Sequence, residues 1–316
     1  MPPVLRFVGA RLLATVVLLL ALSLVVFTLL YMAPGDPARN LLGPRTPSPE
    51  ALAAIKAQYH LDDPFWLQYL RWLGDALHFD FGTSVRSGGS VTSLLGSRAG
   101  VTGELALMAF VLTVVIGVPA GFWAAWRAGG LSDRLLGGAA FVGVGAPSFA
   151  IGLVLLYLLG VKLSIFPVFG LGEGFVDRVW HLTLPAITLA FASGALVFKL
   201  TRTAVVRELG SDYVTFARSR RLSELAIARL VLRNAAIPIV TSLGLVFAFF
   251  FGGTLLVEVT FALPGLGSLL ASSVTFKDIP VVQAITLLTA AVIALTALAV
   301  DVATWAIDPR VRGARR

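Results

Sequence analysis

The arrangements that could carry acid–base or metal chemistry are few in this sequence: three histidines (His60, His78 and His181) and, among 17 Asp and Glu residues, one adjacent acid pair, Asp62 and Asp63. No two histidines stand at metal-ligand spacing, and the chain has no cysteine, which excludes disulfides, thiolate-held metals and iron–sulfur clusters. His181 is the only histidine beside a long apolar run. A hydrolytic triad would need a nucleophile and an orienting third group around it, and no nucleophile is placed to partner it. Asp62 and Asp63 precede Pro64 and a helical pattern, where neighbouring acids point apart and suit the positive end of a helix dipole. They read as a helix start rather than a catalytic pair. There is no Gly-x-x-x-x-Gly-Lys-Ser/Thr string, so ATP is not held here by a P-loop. No catalytic, cofactor or metal site is expected, and the chain is not expected to be an enzyme.

Charge is the chemistry that remains. Lys199, Arg202, Arg207, Arg218, Arg220, Arg221, Arg229 and Arg233 crowd one segment, within a chain of net charge +8. A basic balance can signal nucleic acid, but in an apolar chain the simpler cause is retention of Lys and Arg on cytoplasmic loops. No nucleic-acid partner is expected. Within the segment, Ser211 is placed to cap a helix with Asp212 in its first turn. Val214 and Ala217 mark an apolar face, and Leu222, Leu225, Ala226 and Leu230 continue a helical rhythm through Ser223 and Glu224. Two short amphipathic pieces are predicted. They could lie on anionic lipid or dock a soluble partner.

The elements that position this segment are membrane spans. Of the 316 residues, 57% are hydrophobic and 13% charged, with mean hydropathy +0.89, too little charge for a soluble domain. A crossing needs about 20 apolar residues. Six runs qualify: Leu12–Met32, Leu105–Trp126, Leu135–Val161, Leu182–Phe198, Asn234–Val257 and Ile279–Val300, the last resuming past Asp301 to Ile307. The first is too long for a signal-peptide core and is read as a retained helix. Pro119, Pro147, Pro185 and Pro238 fall inside these runs, where neighbouring helices can re-satisfy freed carbonyls. Gly117 and Gly121 form a GxxxG step suited to close packing, or a chance spacing in a glycine-rich chain. The stretch 259–276 contains Leu-Pro-Gly-Leu-Gly and is predicted to turn or re-enter without crossing.

Basic residues set the orientation. Arg6 and Arg11, Arg127 and Arg134, the eight above, and Arg310, Arg312, Arg315 and Arg316 would lie on one side, against Lys162, Arg178 and Lys277 on the other. Both termini are therefore expected in the cytoplasm. The expected organisation is an N-terminal tail and first span over 1–32, an extracytoplasmic region over 33–102, and a five-span core over 103–316 carrying the basic segment at about 203–233. In the outer region Trp66, Tyr69, Leu70, Leu73 and Leu77 recur at helical spacing and predict one apolar face. An ion-gradient carrier would place ionisable groups near the membrane midplane, whereas Glu104, Lys199, Glu258 and Asp301 all fall near span ends.

Several short strings then accumulate in order: Met-Ala-Pro-Gly-Asp-Pro-Ala (32–38), Tyr-His-Leu-Asp-Asp-Pro-Phe-Trp-Leu-Gln-Tyr-Leu-Arg-Trp (59–72), Phe-Gly-Thr-Ser (81–84), Gly-Ala-Pro-Ser-Phe (145–149), His-Leu-Thr-Leu-Pro-Ala (181–186), Leu-Thr-Arg (200–202), Leu-Pro-Gly-Leu-Gly (263–267) and Asp-Pro-Arg-Val-Arg (308–312). With them, from end to end, the chain resembles the dipeptide/oligopeptide branch of binding-protein-dependent ABC importer permeases. The resemblance implies an all-α type I importer permease fold in a bacterial cytoplasmic membrane. It also implies a second related permease, two ATPase subunits holding ATP and magnesium, an extracytoplasmic solute-binding protein, and membrane lipid as partners. The expected cargo is a di- or oligopeptide, with nickel or another small solute as alternatives carried by the same branch. Asp212-Tyr213-Val214 and Ala217-Arg218 resemble that branch's coupling-helix motif. The resemblance places Asp212, Tyr213, Ala217, Arg218, Arg221, Leu222, Ser223 and Glu224 at or near the ATPase contact. Where the family usually has a turn glycine this chain has Arg221, which would adopt positive φ only with strain.

Overall fold

A computed structural model describes residues 3–32, 35–42 and 48–307, with side chains from Val8 to Ala306 among them. Its regular elements are helices: α1 (Pro3–Met32), α2 (Pro37–Leu42), α3 (Pro49–Gln58), α4 (Phe65–Leu77), α5 (Val91–Leu112), α6 (Val118–Trp126), α7 (Leu131–Gly145), α8 (Ser148–Leu155), α9 (Gly174–Leu209), α10 (Asp212–Ser219), α11 (Glu224–Thr260), α12 (Leu266–Thr275) and α13 (Ile279–Ile307). Extended pairing among the described residues is a single bridge, Thr83 to Ser90. Ala33, Pro34, the side chain of Arg6 and the whole Asp308–Arg316 tail, on which parts of the charge and motif reading rest, lie outside the described residues.

Five continuous helices are long and apolar enough to cross a membrane, over Val8–Met32, Val91–Trp126, Gly174–Leu209, Glu224–Thr260 and Ile279–Ala306. The third expected span is not one straight helix. Its two halves, Leu131–Gly145 and Ser148–Lys162, meet at 111°, and only as a broken pair do they supply a sixth span. The cause is local: Ala146 is extended (ψ 135°) ahead of Pro147, as the proline ring requires, and α8 starts anew behind it. Pro119 is handled differently. A π-helical turn over Thr113–Gly117 precedes it, where its ring and missing N–H disrupt the ladder to the Val115 carbonyl. Pro185 and Pro238 sit inside unbroken helices. The stretch predicted not to cross forms α12, ten residues long, which at 1.5 Å per residue falls well short of a hydrocarbon core.

The chain divides into two compact units that are not contiguous in sequence. Of the described residues, one comprises 103–263 with 296–307 and 3–6; the other comprises 7–32, 35–42 and 48–102 with 264–295. The region after the first span shares its unit with α12 and the first half of α13.

In the first unit α9 is the central strut. Gly121 of α6 approaches it so closely that a Cβ there would lie 2.7 Å from the Phe198 carbonyl oxygen, and one on Gly117 3.3 Å from that of Gly194. The GxxxG step is thus a packing face, not a chance spacing. Asp133, at the start of α7, accepts a fork from Arg202 of α9, Nε to Oδ1 at 2.5 Å and Nη2 to Oδ2 at 2.7 Å, and a third bond from the Gly129 N–H at 2.8 Å. Such bidentate pairs fix geometry as well as energy. Glu258 is fully buried in the last turn of α11 and is partnered.

In the second unit the predicted α4 face holds only in part. Tyr69 and Ala76 are buried, but Trp66, Leu70 and Leu77 are exposed. The inward face instead joins an aromatic cluster in which Phe27 of α1 contacts Tyr31, Phe65, Tyr69 and Trp72 with ring centroids 5.4–5.7 Å apart. Gln68 is buried with them because its amide is fully used: it donates to the Leu61 and Asp63 carbonyls and accepts from the Tyr31 hydroxyl. Asp63 itself pairs with Arg71 at 2.5 Å.

Candidate coupling element

The candidate site is built where α9 ends. The chain turns at Gly210 and Ser211 and forms α10, then turns again at Arg220–Ser223 and enters α11. Ser211 occupies the N-cap position with extended backbone (ψ 153°). Its hydroxyl does not cap α10, however, but donates back to the Glu208 carbonyl at 2.5 Å. Ser223 does cap: its hydroxyl accepts from the Ala226 N–H at 3.3 Å and starts α11.

The second turn answers the question raised by the missing glycine. Arg221 has φ +56°. The Arg221 N–H bonds the Arg218 carbonyl at 2.9 Å and the Leu222 N–H bonds the Ala217 carbonyl at 3.1 Å. These are the two bonds of a Schellman C-cap, whose left-handed position usually falls to glycine. An arginine there costs about 1–2 kcal/mol against the intrinsic preference of an L-residue. The hydrogen bonds and the packing beneath the turn hold it in place.

That packing comes from one face of α10. Val214 and Ala217 are buried in a cluster with Ala204 and Val205 of α9 and Ile227 and Val231 of α11. Tyr213 packs at its edge and donates to a Glu208 carboxylate oxygen at 3.0 Å. Burial pushes the Tyr213 phenol above its ordinary pKa; a hydrogen bond with Asn234 opposes this and the Glu208 carboxylate adds to it. Tyr213 and Ala217 therefore fasten α10 to the spans.

The opposite face is open. Asp212, Arg218, Arg220, Arg221, Ser223 and Glu224 are exposed, and with them stand large apolar side chains: Phe216 at 58% exposure, Leu222 at 44% and Leu225 at 73%. The Arg220 guanidinium lies over the Phe216 ring, 4.7 Å from its centre. The expected rhythm through Leu222, Leu225 and Leu230 is thus not the buried stripe. In α11 that stripe is Ile227, Val231 and Ala235, and the leucines flank it on the outside. Phe216 was not among the expected contact residues. It sits in the i−2 position to Arg218 and carries the same exposed apolar character as Leu222, which is a signal legible only once the inner face is known. Arg202, counted with the loop cations, is instead committed to Asp133.

No cluster of three or more His, Asp or Glu side chains able to hold a metal occurs among the described residues. His181 packs its Nδ1 against the Asp177 backbone carbonyl at 2.9 Å, a local helix contact.

Comparison with known proteins fits this arrangement. Residues 117–313 match the family described as the binding-protein-dependent transport system inner membrane component, and residues 4–90 match the N-terminal family of the same membrane component. The chain is 34% identical over 310 residues to a probable peptide ABC transporter permease protein, y4tP, of Sinorhizobium fredii, covering 97% of this chain and 99% of that one. It is 37% identical to the glutathione transport system permease protein GsiC of Escherichia coli K12, covering 98% and 99%. A chain of the MetNI methionine ABC transporter in an inward-facing conformation shares the fold, with TM-score 0.56 and 15% identity over 68% of this chain and 96% of that one. The multi-helix, all-α permease fold expected from the sequence is therefore the fold observed. The chain belongs to the family of inner membrane components of binding-protein-dependent transport systems.

Proposed function

We propose that this chain is one pore-forming permease of an ATP-driven importer for di- or oligopeptides. In this reading a solute-binding protein delivers cargo on the extracytoplasmic side, a second related permease completes the pore, and two separate ATPase subunits bind and hydrolyse ATP. Both termini face the cytoplasm, consistent with the alternation of basic residues along the sequence. The names of relatives that align over nearly the whole chain, one for peptide and one for glutathione transport, support peptide as the cargo.

One observation carries the reading: Val214 and Ala217 of α10 are packed onto α9 and α11 while Phe216 of α10, with Leu222 and Leu225 just beyond it, is left uncovered among arginines. A rigid knob with an apolar tip and cationic rim suits a protein cleft. ATPase closure would push on this knob. Because α10 is fastened through Val214, Ala217 and Tyr213, the displacement passes to α9 and α11 as a rigid-body shift.

The test is replacement of both Leu222 and Leu225 by Ser in the full transporter. The tagged chain should insert and fold as before, lose its co-purifying ATPase subunits, and lose peptide uptake. Full retention of the ATPase subunits together with wild-type uptake would remove α10 from the coupling role.

A further inference from the structure

We propose that a basic recess at the junction of α7 and α9 binds the phosphate headgroup of an anionic phospholipid. The recess has a volume of about 260 Å³ and is lined by Arg134 and Gly137 of α7 and by Phe198, Lys199, Arg202 and Thr203 of α9, with Asp133 at its edge. Lys199, Arg202 and Thr203 stand at i, i+3 and i+4 and so share one face of α9. Arg134 and Gly137 lie one turn apart on α7.

The charge balance favours an anion. Asp133 neutralises one cation, Arg202, through Nε and Nη2. Arg202 keeps the N–H groups of Nη1, since a guanidinium has five donors. Among the described residues no carboxylate lies within 4 Å ion-pair distance of Arg134 or Lys199, both of which are exposed, and Asp133 feels Arg134 only as a nearby charge. Three cations against one carboxylate therefore line one recess. A Cβ placed on Gly137 would meet nothing within 4 Å, so the α7 side of the recess is open.

Its position selects the lipid over a soluble anion. The recess lies where two uncharged stretches end: Leu135–Val161 begins one residue beyond Arg134, and Val179–Phe198 stops one residue before Lys199. Headgroups sit at that level, and basic recesses between spans at the membrane surface suit them. Leu131 (73% exposed), Leu135 (65%) and Leu200 (38%) border the cations, and Phe141 and Val142 continue the exposed apolar face of α7 into the span. An acyl chain descending from a phosphate at the recess would lie on that face. Along α9 the recess is about two helical turns from the end of the helix, on which α10 is fastened. A lipid tying α7 to α9 would therefore stiffen the strut that carries the coupling element.

Native mass spectrometry of the full chain in a neutral detergent tests this, with phosphatidylglycerol and phosphatidylcholine titrated separately. Phosphatidylglycerol should give a discrete adduct that phosphatidylcholine does not give. In R134Q/K199Q its affinity should fall about thirtyfold, the effect of losing two basic residues near an anionic surface, while R134K/K199R keeps it. Millimolar inorganic phosphate should not displace the lipid. Equal binding of the two lipids, or unchanged phosphatidylglycerol affinity in R134Q/K199Q, would overturn the site. Displacement by inorganic phosphate would make it a site for free phosphate and overturn the lipid assignment. Should the double variant misfold by circular dichroism, the single Lys199→Gln must still show about a fivefold loss.

Discussion

The turn after α10 and the loop over residues 79–90 both stand outside long apolar helices, yet they are held by opposite means. The α10 turn keeps its polar groups in solvent and is fastened by small apolar side chains, Val214 and Ala217, leaving its large ones exposed. The 79–90 loop is fastened by a buried carboxylate. Asp278, 2% exposed, accepts from the Ser84 hydroxyl and from the backbone N–H groups of Val85 (3.0 Å) and Arg86 (3.3 Å). The Arg86 guanidinium then lies 4.0 Å from the centre of the Phe276 ring. A buried acceptor ties down a segment with little regular structure, since every loop N–H it takes would otherwise be costly to bury. An apolar inner face fastens a helix while leaving its outer surface to specify a partner.

Breaking the polar anchor should have the largest effect. Asp278→Ala strands the Ser84 hydroxyl and two backbone donors, and should cost about 3 kcal/mol, read as a lowered unfolding midpoint with rapid proteolysis between residues 79 and 90. A change under about 1 kcal/mol would mean that water replaces the carboxylate and that the loop does not depend on it. Overfilling the apolar anchor comes next. Ala217→Leu forces the closely packed α9–α10–α11 cluster apart at about 2 kcal/mol, and should weaken ATPase retention by displacing α10, since Ala217 is buried. Loss of retention with full stability would instead put Ala217 on the contact surface. The smallest effect has the opposite sign. Arg221→Gly relieves the left-handed strain, partly offset by the chain entropy glycine gives up, and should stabilise the turn by about 0.5–1 kcal/mol. Slower hydrogen exchange at the Arg221 and Leu222 amides would report it; faster exchange would show that the arginine side chain itself holds the turn.

Much of the fold was legible because burial in lipid demands long uncharged helices with internally satisfied backbones. That demand alone marks all six apolar runs. The break at Ala146–Pro147 was not legible as a break, because proline occurs in five of the runs and the structure treats it in different ways: a π turn before Pro119, continuous helix through Pro185 and Pro238, the first turn of α13 at Pro280, and a 111° corner at Pro147. In the candidate site, the inward turn of Val214 and Ala217 was visible from their spacing, while the exposure of Leu222 and Leu225 was not. Helical periodicity groups apolar residues without saying which group meets the core, and here α11 buries Ile227 and Val231 in their place. Asp278 and Gln283 drew no notice because a lone polar residue beside or within an apolar run has no pattern. Their value comes from distant partners: Gln283 donates to the Val26 and Phe27 carbonyls, far away in sequence.

The sequence by itself determined that the chain is an apolar helical protein without thiol chemistry, and that Val214 and Ala217 share one apolar face. Composition and local spacing suffice for such properties, because each depends on residues near one another in the chain. Tertiary structure alone decided that Leu222 and Leu225 are left outside the core, that Arg202 belongs to Asp133, and that the described residues of 35–102 share a unit with 264–295. Those outcomes depend on which side chains meet across the fold, and close packing settles that only once the helices are in place.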